Sequence, residues 1–174
     1  MIKKIVFGGG CFWCTEAVFA MLKGVKNTIP GYAGGNKPNP SYEEVCNDDT
    51  GHAEVLMIEY EEESISLNIL LEVFFEMHDP TSLNKQGADT GTQYRSAIFY
   101  SDELQEKEIR EFVEEKQNKF DKKIVTEIKK LGEFYPAEEY HRKYYVKNKE
   151  QPYCDYVITP KVEKIKKDFK KFIK

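Results

Sequence analysis

The stretch I-K-K-I-V-F-G-G-G-C-F-W-C-T-E-A-V-F-A-M-L, residues 2–22, decides how the chain is built. Ile2–Phe7 reads as a short buried strand that the glycine triplet ends. Ala17–Leu22 reads as a helix with an apolar face, stopped at Gly24. Val25–Tyr32 then reads as a second strand. Between first strand and helix lie two of the four cysteines and the only tryptophan. That cluster can be a redox pair, half of a metal site, or one reactive cysteine with a second nearby.

Outward from this unit, further elements follow in order. Ser41 and Glu44 stand at capping-box spacing and predict a short helix over S-Y-E-E-V-C. Ala53–Tyr60 alternates in part and reads as a strand, and Ser66 can cap the apolar helix Leu67–Met77. The polar run D-P-T-S-L-N-K-Q-G-A-D-T-G-T-Q is a long loop of the kind that carries function. Tyr94–Tyr100 reads as a strand, Asp102–Gln117 as a helix capped by Ser101, and Ile124–Ile128 as a strand. Residues 137–147 and 160–173 read as helical. The order matches a ferredoxin-like split β-α-β core with added terminal helices, an α+β two-layer sandwich. A chain of 174 residues, 40% of them hydrophobic, is expected to form a single catalytic domain over 1–174, with 148–174 a mobile segment plus helix.

Charge and composition exclude several classes. A formal net charge of −4 argues against a nucleic-acid-binding protein. The seven acidic residues in 102–116 and seven lysines in 160–174 each accompany apolar residues at helical spacing, so both read as amphipathic surface helices. The apolar run after Lys3 and Lys4 is too short for a secretion signal, and no stretch approaches a membrane span. The chain is therefore expected in the cytoplasm with its thiols reduced. Four cysteines are too few for a disulfide scaffold and suit reactive or metal-binding roles.

Cys11 falls between a glycine-rich turn and a helix start. The helix N-terminus lowers a thiol's pKa and favours the nucleophilic thiolate. The competing reading is a small apolar side chain packed at a strand end. Phe12 and Trp13 either wall a small apolar pocket beside that sulfur or anchor the turn in the core. Glu54, flanked by Ala53, Val55 and Leu56, becomes a proton-holding general acid if its side chain points inward, and a solvated glutamate if outward. His52 reads as a hydrogen-bonded structural histidine rather than a base or ligand. Asp89, Gln93, Tyr94 and Arg95 either form a polar oxygen-binding site or satisfy their own loop.

Six segments, G-G-C-F-W-C-T-E, S-Y-E-E-V-C, T-G-H-A-E-V, H-D-P-T, G-A-D-T-G-T-Q-Y-R-S-A-I and A-E-E-Y-H, together resemble peptide methionine sulfoxide reductase of the A type. The resemblance spans most of the chain and implies reduction of the S epimer of methionine sulfoxide, in oxidised proteins or peptides. It implies that Cys11 is the nucleophile and that Phe12 and Trp13 surround the substrate methyl. Glu54 resembles the acid, Tyr42 and Tyr94 the phenols that hold the sulfoxide oxygen, and Asp89 a polar residue orienting the site. Cys11 would become a sulfenic acid and then a disulfide, recycled by an external reductant, thioredoxin or dithiothreitol, with no bound cofactor and no metal. For the resolving thiol the expectation is Cys154, then Cys14, with Cys46 a bystander; Cys14 departs from the glycine common at this position, and a helix start is expected to give it poor disulfide geometry. Two other classes compete: a thioredoxin-like dithiol oxidoreductase using Cys11 and Cys14, and a zinc-binding module drawing on the same pair.

Overall fold

A computed structural model describes residues 1–174. Strand β1 (Ile2–Gly9) runs into helix α1 (Phe12–Phe19), then β2 (Val25–Ala33), α2 (Tyr42–Cys46), β3 (Ala53–Glu61) and α3 (Leu67–Met77). The long polar loop contains a two-residue hairpin, β4 (Lys85–Gln86) with β5 (Asp89–Thr90), and a 3-10 turn over Thr92–Tyr94. There follow β6 (Ser96–Tyr100), α4 (Glu103–Gln117), β7 (Glu127–Lys130), β8 (Phe134–Pro136), α5 (Tyr144–Lys147), and a π-helical turn, Cys154–Ile158, that leads into α6 (Thr159–Asp168).

The result is a mixed α/β architecture with one six-stranded sheet in the order β7-β6-β1-β3-β2-β8. Every pairing is antiparallel except β6 with β7. β1 lies near the middle because its side chains alternate between two apolar faces. Ile5 and Phe7 join Leu56, Ile58 and Ile98 in the main core beneath the helices, while Val6 joins Val55, Ala97 and Phe99 on the opposite face. Phe7 stacks on Phe74 of α3 at 4.5 Å, and Phe75 meets Phe112 of α4 edge-on. This alternation settles the direction of Glu54: it shares the face of Leu56 and Ile58, not that of Val55. No helix is long and apolar enough to cross a membrane.

Two of the expected helix caps hold. Ser41 and Glu44 form both halves of the capping box, and the Ser66 hydroxyl accepts from the Ile69 amide. Several boundaries move. α1 starts at Phe12 rather than Ala17, because it is buried on almost every side and has no amphipathic stripe to mark its start. Asp102, not Ser101, caps α4, its carboxylate accepting from the Gln105 amide. The strand expected over Ile124–Ile128 is Glu127–Lys130. β8 is an additional edge strand. Residues 137–147 form a helical turn over Glu139–His141 and the short α5 instead of one helix. Lys143 between them takes a left-handed backbone, φ +53°, which no continuous helix accommodates. The last helix ends at Asp168. Within 148–174, expected to hold a mobile segment plus helix, Cys154, Ile158, Val162 and Ile165 belong to the main core.

Candidate active site

The site begins where β1 stops. Gly9 packs so tightly that a Cβ would stand 2.9 Å from the Phe74 ring, and Gly10, at φ +95°, turns the chain into α1. Cys11 is the residue before the first turn of α1, with extended backbone, φ −61° and ψ 127°. It is 9% exposed. Cys14 stands one turn on, buried, and close enough that the two thiols move each other's pKa in opposite directions.

The thiol chemistry differs from the expectation of a lowered Cys11 pKa. Burial, then the contact with Cys14 and the charge of Glu54, push the Cys11 thiol well up. Cys14 moves down, chiefly because Cys11 donates to it. Cys11 therefore keeps the proton of the pair.

Glu54 reaches the same helix start from β3. Its Oε1 accepts from the Phe12 amide at 3.3 Å, and its Oε2 is buried with no partner. Burial raises its pKa from 4.5 to about 8, against the lowering effect of the Phe12 N–H and with help from the charge of Asp89. It is a carboxyl group that holds its proton at neutral pH. Tyr42 and Tyr94 are both partly buried, and burial followed by the charge of Glu54 pushes each phenol up, so both stay protonated donors. Asp89 accepts from the Tyr153 hydroxyl at 2.8 Å, and Tyr153 also helps to lower the Cys14 pKa.

Phe12 is wholly buried among Tyr32, Tyr42 and His141. Trp13 is partly exposed, stacked on Tyr144 with centroids 3.7 Å apart and planes 7° from parallel. Its indole N–H donates to His141 Nδ1 at 3.0 Å.

Of the residues singled out from sequence, Cys11, Cys14, Glu54, Tyr42, Tyr94, Asp89, Phe12 and Trp13 converge. Cys154 lies buried close enough to Cys14 to feel its charge, and burial raises its thiol pKa. Cys46 is exposed at the end of α2, one turn from Tyr42, and burial raises its thiol pKa. His52 is structural: its Nδ1 accepts from the Gly35 amide and its Nε2 donates to the Lys37 carbonyl. Arg95 turns away to Glu127 and the Thr92 carbonyl. A surface cleft of about 600 Å³, lined in part by Lys116, Lys119, Lys161 and Lys164, holds none of these groups. No three His, Cys, Asp or Glu side chains converge as a metal site would require.

Sequence reasoning missed a strap over residues 138–144. Glu138 accepts from the Tyr32 hydroxyl and the Tyr42 amide, His141 accepts from Trp13, and the Lys143 amide donates to buried Glu16. The motif A-E-E-Y-H was visible, but a helical reading of 137–147 hid the way its side chains reach three separate elements.

Comparison with known proteins shows the family. The family model described as peptide methionine sulfoxide reductase matches residues 3–173. The peptide methionine sulfoxide reductase MsrA of Nautilia profundicola is 55% identical over 163 residues, 94% of each chain. The crystal structure of reduced Mxr1 from Saccharomyces cerevisiae superposes with TM-score 0.83 at 40% identity, covering 88% of this chain and 89% of that one. Mxr1 solved in complex with Trx2 matches at TM-score 0.60 and 31% identity, over 82% and 84% of the two chains. The chain belongs to the peptide methionine sulfoxide reductase family.

Proposed function

We propose that this enzyme reduces the S epimer of methionine sulfoxide in oxidised proteins and peptides, with Cys11 as nucleophile and Glu54 as acid. The observation that carries the reading is the Glu54 carboxyl. It is buried and protonated at neutral pH, with one oxygen on the amide that follows Cys11 and the other unpartnered. A sulfoxide sulfur resists attack until its oxygen is hydrogen-bonded or protonated. Tyr42 and Tyr94 would hold that oxygen while Glu54 supplies a proton as charge develops. Phe12 and Trp13 would receive the methyl group, and Asp89, braced by Tyr153, would orient the substrate.

Cys11 passes its proton to Cys14 and attacks the substrate sulfur; the substrate S–O bond breaks as the oxygen, protonated by Glu54, transfers to Cys11, which becomes a sulfenic acid as the thioether leaves. A second thiol condenses with it, forming a disulfide and releasing water. Cys14 was expected to sit in poor disulfide geometry, yet its contact with Cys11 now favours it for this step. Cys154 follows as the thiol that exchanges with Cys14, and Cys46 stands outside the relay. A dithiol protein of the thioredoxin kind would reduce the final disulfide by exchange. The complex of Mxr1 with Trx2 supports that partner by analogy, and dithiothreitol would replace it in vitro. This cycle suits a reducing compartment, and we assign the chain to the cytoplasm. We read residues 1–174 as one catalytic domain. The order β6-β1-β3-β2 supports a ferredoxin-like split β-α-β core.

The test is turnover of each sulfoxide epimer by wild type, Cys11→Ser, Cys14→Ser, Cys46→Ser and Cys154→Ser. Only the S epimer should react, and with dithiothreitol only Cys11→Ser should lose activity. With thioredoxin, Cys14→Ser should also stall. Full activity in Cys11→Ser overturns the mechanism.

A further inference from the structure

The chain has three histidines, and their hydrogen bonding separates one from the others. Both ring nitrogens of His52 are satisfied, by the Gly35 amide and the Lys37 carbonyl. Both nitrogens of His78 are satisfied too, by the Phe74 carbonyl and the Ser96 hydroxyl. These are histidines that the fold uses as structural linkers. His141 is fully buried, yet only its Nδ1 has a partner, while Nε2 has none.

The partner decides the ring's state. An indole N–H can only donate, so Nδ1 must accept, and the proton of the neutral ring sits on Nε2. An unpartnered buried N–H costs the fold stability. What the site gains in exchange is an acceptor fixed at the edge of Trp13. Tyr144, three residues along the strap, holds the same indole by its face. The left-handed turn at Lys143 lets both side chains meet one ring, and Glu16 pins that turn through the Lys143 amide. Edge and face together leave the indole one orientation.

We propose that His141 is a positioning residue for substrate selectivity: its Nδ1 holds the Trp13 indole so that the pocket accepts a sulfoxide methyl and rejects a larger alkyl group. This rests on the assignment of Trp13 to the methyl-binding wall. His141→Asn places its amide oxygen near the Nδ1 position and can still accept from the indole, whereas His141→Leu cannot. With dithiothreitol as reductant, His141→Leu should keep kcat, raise KM for the methyl sulfoxide, and lose about tenfold of the selectivity for methionine over ethionine sulfoxide, the discrimination that one methylene commands. His141→Asn should retain wild-type selectivity.

Because Trp13 is the only tryptophan, wild-type protein gives a single indole N–H resonance, which reads the bond without substrate or variant. That proton should be shifted downfield and protected from exchange, and His141→Leu should abolish both properties. An indole proton exchanging freely in the wild type overturns the proposal. So does His141→Leu with wild-type selectivity, or His141→Asn failing as badly as His141→Leu. A wild type that reduces no sulfoxide would sink the proposed function while the resonance still reports on His141.

Discussion

Replacing Glu54 by glutamine should change how stability depends on pH, because the folded chain holds a proton there that the unfolded chain releases. Glutamine keeps the shape and the acceptor for the Phe12 amide but does not titrate. The folded pKa of about 8 lies above the ordinary 4.5, so Glu54's contribution is complete below 4.5 and disappears as pH rises through about 8. Across that interval wild-type stability falls by about 1.4 kcal/mol per pH unit on account of this group, about 5 kcal/mol in all. About 4 kcal/mol of that falls between pH 5 and 8. The glutamine variant shares every other titrating group, so these cancel in the difference between the two proteins. Urea unfolding of both, under reducing conditions at pH 5, 6, 7 and 8, should show the variant gaining steadily on wild type by roughly that amount. A difference that stays flat with pH would mean an ionised carboxylate in the folded protein and would refute the acid role. In single turnover at neutral pH the variant should be slower by about two to four orders of magnitude, the usual worth of a positioned proton donor.

Two further predictions concern the periphery of the site. Glu16→Ala leaves the Lys143 amide and the Thr28 hydroxyl without their acceptor. It should cost about 1–3 kcal/mol in urea unfolding and raise KM by loosening the strap. Cys46 is the one exposed cysteine, so iodoacetamide with mass spectrometry should label it first, and Cys46→Ser should turn over normally with thioredoxin. Labelling of Cys154 before Cys46 would contradict the packing of the C-terminal segment.

What could be read from sequence followed from how local each signal is. The Ser41–Glu44 box and the Ser66 cap lie within a few residues of the helices they start, and both helices form where expected. α1 gave no such signal: Phe12, Cys14, Thr15, Glu16 and Val18 are all buried, so periodicity had nothing to contrast. The direction of Glu54 stayed open because β3 is apolar on both sides, and only the second core around Val55 and Phe99 fixes its parity. Cys11, Glu54, Tyr42, Tyr94 and Asp89 were recognised through family motifs and do converge. The strap was illegible because its partners Tyr32, Tyr42, Trp13 and Glu16 lie more than ninety residues away in sequence. Nothing local marks a long-range bond. The contact between Cys11 and Cys14 was in the sequence as C-x-x-C, but its use depended on where the helix begins.

The strap also makes enclosure of the site a late event in the enzyme's own synthesis. Cys11 and Cys14 are among the first residues made, whereas the residues that close over Trp13 and brace Asp89 come from positions 138–153. Until that late segment leaves the ribosome, the paired thiols lack the cover that the strap and Tyr153 complete in the finished fold. A chain whose family repairs oxidised methionine thus completes the enclosure of its own paired thiols only with the last part of its synthesis.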